Sequence, residues 1–302
     1  MQIGTILPAD DTHDVDGSGD TPASWARVRD FALSTEHGGL DSVWVFDHLF
    51  HESGGDSGHV RRGQLEAWTT LSAVAAVTQR VQVGALVMCS PFRNPVLLAK
   101  MACTADDVSD GRLILGLGAG WHAPEFAALG ISMGQRVDRF AEALPIVSAL
   151  LRGEQVTYAG QHHNVRAAEL LPTPTRRIPV LVAALRPRML RLTARYADAW
   201  NIAWYGVPDD HLYGVMADLR RACEAEGRDP ATLTVTVGMN VHDPDSGVGP
   251  DPENTAFGGT VDELATALDA YARLGVDHLI VLPHPHNERT LDRLIAARSL
   301  TG

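Results

Sequence analysis

Lysine is almost absent from this chain. Lys100 is the single lysine among 25 basic residues, set against 37 acidic ones, and the formal net charge is −12. So acidic a chain is poorly suited to nucleic acid, whose phosphates are held by clustered Lys and Arg. A local arginine pocket for a small anion stays open. Cysteine is scarce as well. Cys89, Cys103 and Cys223 form no CxxC and no Cys/His zinc spacing, which sets aside a disulfide framework and a structural zinc. No apolar run reaches the roughly 18–20 residues of a membrane span. The first eight residues read as a strand, without the charged start and long apolar core of a signal peptide. These absences predict a cytoplasmic enzyme with no metal, membrane or nucleic-acid partner.

What is present is a regular alternation of strand-like and helix-like segments over 302 residues. Strands are expected at residues 2–7, 41–46, 81–87, 112–117, 179–183, 199–203, 232–240 and 278–282. Between them lie apolar stripes at helical spacing. Thr21-Pro22 offers a capping residue before a proline, and predicts the start of the first helix. Helices follow at 64–78, 94–108, 187–197, 208–226, 261–274 and 288–297, and helical segments after the fourth strand run to about 151. Thr260 and Glu263 have the spacing of a capping box. Residues 153–170 break the rhythm as a hairpin inserted before the fifth strand, and the Asp/Pro/Gly-rich stretch 242–259 reads as a loop insertion acting as a lid. Eight β–α repeats in one domain, 1–302, predict a (β/α)8 TIM barrel; an open α/β sheet is the alternative.

In such a barrel the chemistry lies where the strands end. Asp47-His48 follows the second strand and Cys89 the third; Gly118, Gly120 and Trp121 follow the fourth, and Ala183, Ala184, Arg186 and Arg188 the fifth. Together they provide a histidine, close backbone approach, aromatic surface and cations, which suits a flat cofactor with a phosphate tail. Plainer readings exist for each. Asp47-His48 makes a local hydrogen bond at a strand end. Gly116-x-Gly118-x-Gly120 makes a tight turn, since its spacing and place are wrong for a dinucleotide fingerprint. Arg186 and Arg188 are solvated helix arginines. His284-Pro285-His286 looks like a metal-binding HxH but lacks partners at useful spacing, so it is expected as an exposed loop. His162-His163 is expected at the surface, and one of Trp200 and Trp204 inside the barrel.

Several runs in order resemble the luciferase-like monooxygenase family. They are Asp41-Ser42-Val43-Trp44-Val45-Phe46-Asp47-His48-Leu49-Phe50, the run Phe92 to Lys100, Gly111 to His122 with Glu125, Leu190 to Asn201, and Gly275 to Ile280. The resemblance is strongest to the branch that uses the deazaflavin coenzyme F420. It implies that His48 stands beside the reactive ring and handles a proton. It also implies a non-prolyl cis peptide at Leu86–Val87 behind the ring, and Ala183 and Ala184 near the phosphate, with the Pro187-led helix offering its N-terminus. The family's usual Gly-Gly is Ala183-Ala184 here, and the lysines of the sugar-phosphate branch are missing, which disfavours that activity.

The expected function is hydride transfer between reduced F420 and an unidentified small organic substrate. Asp47, Leu86, Val87, Cys89, Gly118, Gly120, Trp121, Ala183, Ala184, Arg186 and Arg188 are expected around the cofactor. The resemblance further implies a homodimer supplied by a separate, diffusing reducing enzyme. Rivals are an FMN-dependent two-component monooxygenase, a non-catalytic flavin-binding barrel and a metal-dependent barrel hydrolase.

Overall fold

A computed structural model describes residues 1–13, 20–53, 60–247 and 255–301. Parts of the expected loops at 9–20, 47–63 and 242–259 lie outside the described residues. Among the described residues eight parallel strands close on themselves: β1 (Gln2–Ile6), β2 (Ser42–Val45), β3 (Gln82–Ala85), β4 (Leu113–Gly118), β5 (Val180–Ala183), β6 (Ala199–Tyr205), β7 (Thr234–His242) and β8 (His278–His284). Pairing runs in sequence order from β1 to β8, and β1 also pairs with β8, so the sheet has no open edge. Helices cover its outside: α1 (Trp25–His37), α2 (Ala67–Val77), α3 (Pro95–Val108), α4 (Ala123–Ala128), α5 (Arg136–Leu151), α6 (Pro187–Tyr196), α7 (Asp210–Ala225), α8 (Val261–Leu274) and α9 (Glu288–Leu300). This is a (β/α)8 barrel. No helix among the described residues is long and apolar enough to cross a membrane.

Successive strand side chains face opposite ways. Val43, Val83, Leu115, Val182, Val237 and Val281 point outward and join the layer beneath the helices. Ile6, Trp44, Leu86, Ile114, Leu181 and Ile280 point inward and fill the barrel. Trp44 is fully buried there, and its bulk is matched by Gly84 on the next strand, where a Cβ would lie 2.4 Å from the indole. Its Nε1 donates to Ser42 Oγ at 2.7 Å, and Ser42 meets His278 Nε2 at 2.7 Å. Burial pushes His278 down to about 4, so it is neutral. Below the mouth the barrel is thus a filled core.

Trp200 and Trp204 take opposite roles. Trp200 lies in the outer layer, whereas Trp204 packs on the inner cluster. Simple alternation would put both on one face, but the β6–β7 register shifts between Ile202 and Tyr205. The Ala203–Trp204 peptide in this stretch is cis. Gly238 on β7 leaves room, since its Cβ would approach the Trp204 ring to 2.6 Å.

The capping box at Thr260 and Glu263 is formed. The first helix starts later than Thr21-Pro22 suggests: Ser24 is its cap, accepting from the Arg27 N–H. Within 153–170, Val156–Ala159 pairs antiparallel with Asn164–Ala168 away from the barrel. His162 and His163 there are half-buried, their N–H groups donating to Glu142. The His284-Pro285-His286 segment is not an exposed loop. His286 reaches the Ile6 carbonyl at 2.7 Å and packs edge-on against Phe31, tying the last strand's end to the first.

The Trp44–Gly84 fit generates a stability prediction. Gly84→Ala should cost about 1–3 kcal/mol by overpacking. Gly214, on α7 with nothing near its Cβ position, serves as the control. Gly214→Ala should stabilise by about 0.5–1 kcal/mol through helix propensity. Urea unfolding of the two variants checks this, and equal midpoints would refute the packing account.

Candidate active site

The segment after β2 carries two acidic or basic side chains with separate duties. Asp47 turns inward and is used up by the protein itself. Its Oδ2 accepts from the Cys89 N–H at 2.7 Å and from Arg93 at 2.5 Å, and its Oδ1 accepts a second Arg93 bond at 2.8 Å. Arg93 also donates to Glu66 at 3.0 Å, and Glu66 caps α2 through the Trp68 and Thr69 N–H groups. Burial opposes the Arg93 charge, but Asp47 and Glu66 outweigh it, and the guanidinium is held even more firmly protonated than usual. This clamp joins the ends of β2 and β3 to α2.

His48 leaves the strand in the other direction and meets Glu125 of α4. Its Nδ1 lies 3.1 Å from Oε2 and 3.2 Å from Oε1. The Leu49 N–H donates to Oε1 at 2.6 Å. Glu125 is 2 % exposed. Burial would raise its carboxyl, but the bonds from His48 and from the Leu49 and Phe50 N–H groups win and hold it below the usual range. An ionised Glu125 requires a hydrogen on His48 Nδ1. The Nε2 atom is thereby fixed as acceptor in the neutral ring and donor in the cation. His122 stands on the same carboxylate, its Nδ1 3.3 Å from Oε2.

Aromatic side chains line the approach. Phe46 and Trp204 meet edge to face at 5.8 Å, Phe46 leads to His48 at 6.4 Å, and Trp121 stands edge-on to His48 at 5.4 Å. Trp121 is 62 % exposed, so its indole faces the opening. The Leu86–Val87 peptide is cis, and β3 resumes as Met88–Cys89 beside Leu117 and Gly118. Gly116 and Gly118 make room for this chain: a Cβ would come within 2.0 Å of the Ala85 carbonyl oxygen and 2.6 Å of Val87, respectively. Gly120 turns the chain at φ 80° above the Cys89 sulfur and the Phe126 ring. The Cys89 thiol is buried near two carboxylates, and both influences push its ionisation upward, so it is no nucleophile.

The β5 end forms a second cluster. Ala183 is half-buried and Ala184 buried, with the Ala184 carbonyl accepting from Trp200 Nε1 at 2.7 Å. Arg186 is the N-cap of α6 and makes no side-chain capping bond. Arg188 pairs with Asp138 at 2.6 Å, with both side chains about half exposed. Lys100, on α3, donates to the Leu171 carbonyl outside the barrel.

Sequence reading located Asp47 and His48 but gave no role to Glu125, His122, Arg93 or Glu66. A usable signal existed for one pair, since His122-x-x-Glu125 at the start of a helix places both side chains on one face. Among the described residues, His48, His122 and Glu125 form a group with ligating atoms within 4.8 Å. That is near enough to hold a cation, and of the two rings it is His48 whose Nδ1 is hydrogen-bonded to Glu125.

The Asp47–Arg93 clamp has a measurable consequence. Arg93→Ala leaves a buried carboxylate without its cation and should cost about 3–5 kcal/mol. Adding Asp47→Asn to it should recover part of that loss. Chemical denaturation of both variants tests this; wild-type stability in Arg93→Ala would contradict the clamp.

Comparison with known proteins places the architecture. A family model described as luciferase-like monooxygenase matches residues 1–246. An F420-dependent glucose-6-phosphate dehydrogenase of Kineococcus radiotolerans is 32 % identical over 76 % of this chain and 68 % of its own length. An F420-dependent hydroxymycolic acid dehydrogenase of Mycobacterium tuberculosis is 31 % identical over 68 % of this chain and 56 % of its own. Among solved structures, an F420-dependent secondary alcohol dehydrogenase in complex with an F420-acetone adduct superposes with a TM-score of 0.78, at 20 % identity, covering 98 % of this chain and 97 % of that one. A monooxygenase from Streptomyces bottropensis superposes at 0.77, with 25 % identity over 99 % of this chain and 98 % of its own. The chain therefore belongs to the luciferase-like monooxygenase family.

Proposed function

We propose that this chain is an F420-dependent oxidoreductase, moving a hydride between the reduced deazaflavin and a small organic substrate while His48 handles the accompanying proton. The observation that carries the reading is the His48–Glu125 pair. A buried, ionised carboxylate fixes the imidazole through Nδ1 and leaves Nε2 as the acid or base at the end of a barrel strand. F420-dependent relatives from two functional groups support the choice of cofactor.

The residues present suit such a group. Leu86, Val87, Gly118, Gly120 and Trp121 would border the ring, with Asp47 and Cys89 holding the shape of that wall. Ala183, Ala184, Arg186 and Arg188 would receive the anionic tail. Arg186 leaves the first N–H groups of α6 without a side-chain cap, which favours an anion there. Releasing Arg188 from Asp138 would add a second cation. A bound deazaflavin has carbon where a flavin has N5, and so supplies hydride chemistry rather than oxygen activation.

In the reducing direction His48 Nε2 would donate a proton to the substrate, with Glu125 keeping the ring aligned. The aromatic row of Phe46, Trp204 and Trp121 favours apolar substrate surface and excludes water. The one lysine is committed elsewhere, so a lysine-held phosphate plays no part, and conjugated enones are the first substrates to try. A homodimer served by a diffusing reductase completes the proposal. A second reading, an FMN-dependent monooxygenase, draws on the monooxygenase that matches at 25 % identity.

His48→Ala should stay folded with cofactor affinity near wild type, losing some melting temperature as Glu125 loses its partner, while slowing single turnover by about 10²–10⁴-fold. Stopped-flow measurement beside a melting curve decides the matter. A destabilised variant with an unchanged single-turnover rate would assign His48 to packing instead.

A further inference from the structure

Zinc and similar ions are held by imidazole nitrogens and carboxylate oxygens gathered around one point. Among the described residues, one group of three such side chains brings a ligating atom from each within 4.8 Å of the others: His48, His122 and Glu125. His48 follows β2, whereas His122 and Glu125 open α4. No sequence spacing announces the group, because His48 and Glu125 are 77 residues apart. We propose that these three side chains form a binding site for a divalent transition ion of the zinc class, with a fourth position left to water from the barrel mouth.

The spacing carries the argument. A tetrahedral ion with bonds of about 2.0–2.1 Å sets its ligand atoms about 3.3–3.4 Å apart. Glu125 Oε2 is 3.1 Å from His48 Nδ1 and 3.3 Å from His122 Nδ1. Two edges of the tetrahedron are thus close to their final length. The two rings are 5.9 Å apart at 79°, so neither is stacked on the other and small turns about their side-chain bonds complete the third edge. Two imidazoles and one carboxylate are a donor set that zinc accepts with one position to spare, whereas Mg²⁺ and Ca²⁺ call for more oxygens.

The frame around these ligands is fixed from outside. Glu125 is buried, and its Oε1 accepts the Leu49 N–H at 2.6 Å, which turns Oε2 toward the rings. Outer bonds of this kind orient metal ligands. His122 and Glu125 lie three residues apart on one helix start, so the backbone sets their separation. Arg93 is taken up by Asp47 and Glu66, and does not compete for Glu125. Trp121, edge-on to His48 and 62 % exposed, marks the side from which the ion enters.

Occupancy changes what His48 can do. Coordination through Nδ1 displaces the hydrogen that this atom holds toward Glu125. That proton leaves to solvent and Nε2 takes one up, so the neutral ring keeps one hydrogen, now on the other nitrogen. Nε2 is then a donor and no longer an acceptor. Inhibition by the ion follows if His48 handles the proton as proposed above; the binding itself does not rest on that reading.

Calorimetric titration of the cofactor-free, full-length protein with zinc chloride tests the site without cofactor or substrate. Zinc should saturate at one ion per chain, and magnesium chloride should give no binding over the same range. His122→Asn, which keeps a good helix-capping residue, and Glu125→Gln should each weaken zinc binding by at least about tenfold, since loss of even an outer-shell partner costs that much. The double variant His162→Asn/His163→Asn, on the hairpin away from the barrel, should bind zinc as wild type does. A melting curve establishes that each variant is folded, and His122→Asn decides alone if Glu125→Gln is not. No saturable zinc binding, or zinc bound as tightly by folded His122→Asn as by wild type, or binding abolished by the hairpin pair, overturns the proposal.

Discussion

The bond network of the Glu125 carboxylate governs the rest of the site. Without its partners a carboxyl this buried would take up a proton. The Leu49 N–H and the His48 ring keep it ionised instead, and the charge in turn dictates which His48 nitrogen carries hydrogen. The backbone after β2 is thus joined to α4, which follows β4, and the two loops are fixed relative to each other. On the other side of His48 the Asp47–Arg93 clamp does the same for the ends of β2 and β3. A side chain between two such anchors has few rotamers to lose, which is the preorganisation that proton transfer requires.

The barrel interior supports this arrangement from below. Trp44 and Trp204 fill the space that Gly84 and Gly238 vacate, and Ile6, Leu86 and Ile280 pack around them. Among the described residues this packing leaves the barrel interior filled, below the aromatic row and the α6 N-terminus. The same glycines explain why small residues recur on inward positions of β3, β4 and β7. At Gly116 and Gly118 the space is taken by the neighbouring chain around the cis Leu86–Val87 peptide.

Local signals made much of the fold legible. Buried parallel strands read as apolar runs, helices as stripes at 3.6-residue spacing, and the Thr260–Glu263 box marked its helix start correctly. The first helix was expected to open at Thr21-Pro22 but is capped by Ser24, because tertiary placement decides which hydroxyl meets a free N–H. Strand-end logic picked out Asp47 and His48. Their partners were hidden, since Arg93 and Glu125 lie 46 and 77 residues away and no periodicity connects them. His286 was misread for the same reason: its partner, the Ile6 carbonyl, is 280 residues distant.

The proposed function puts a deazaflavin between His48 and the start of α6, with His48 as the acid–base group and the helix start receiving the anionic tail. Titrating the purified chain with F420 and with FMN, at equal ionic strength, tests that placement most directly. The account predicts one F420 per chain, bound at least about tenfold more tightly than FMN, a difference of about 1.4 kcal/mol. Tighter binding of FMN, or no saturable binding of F420, would contradict it.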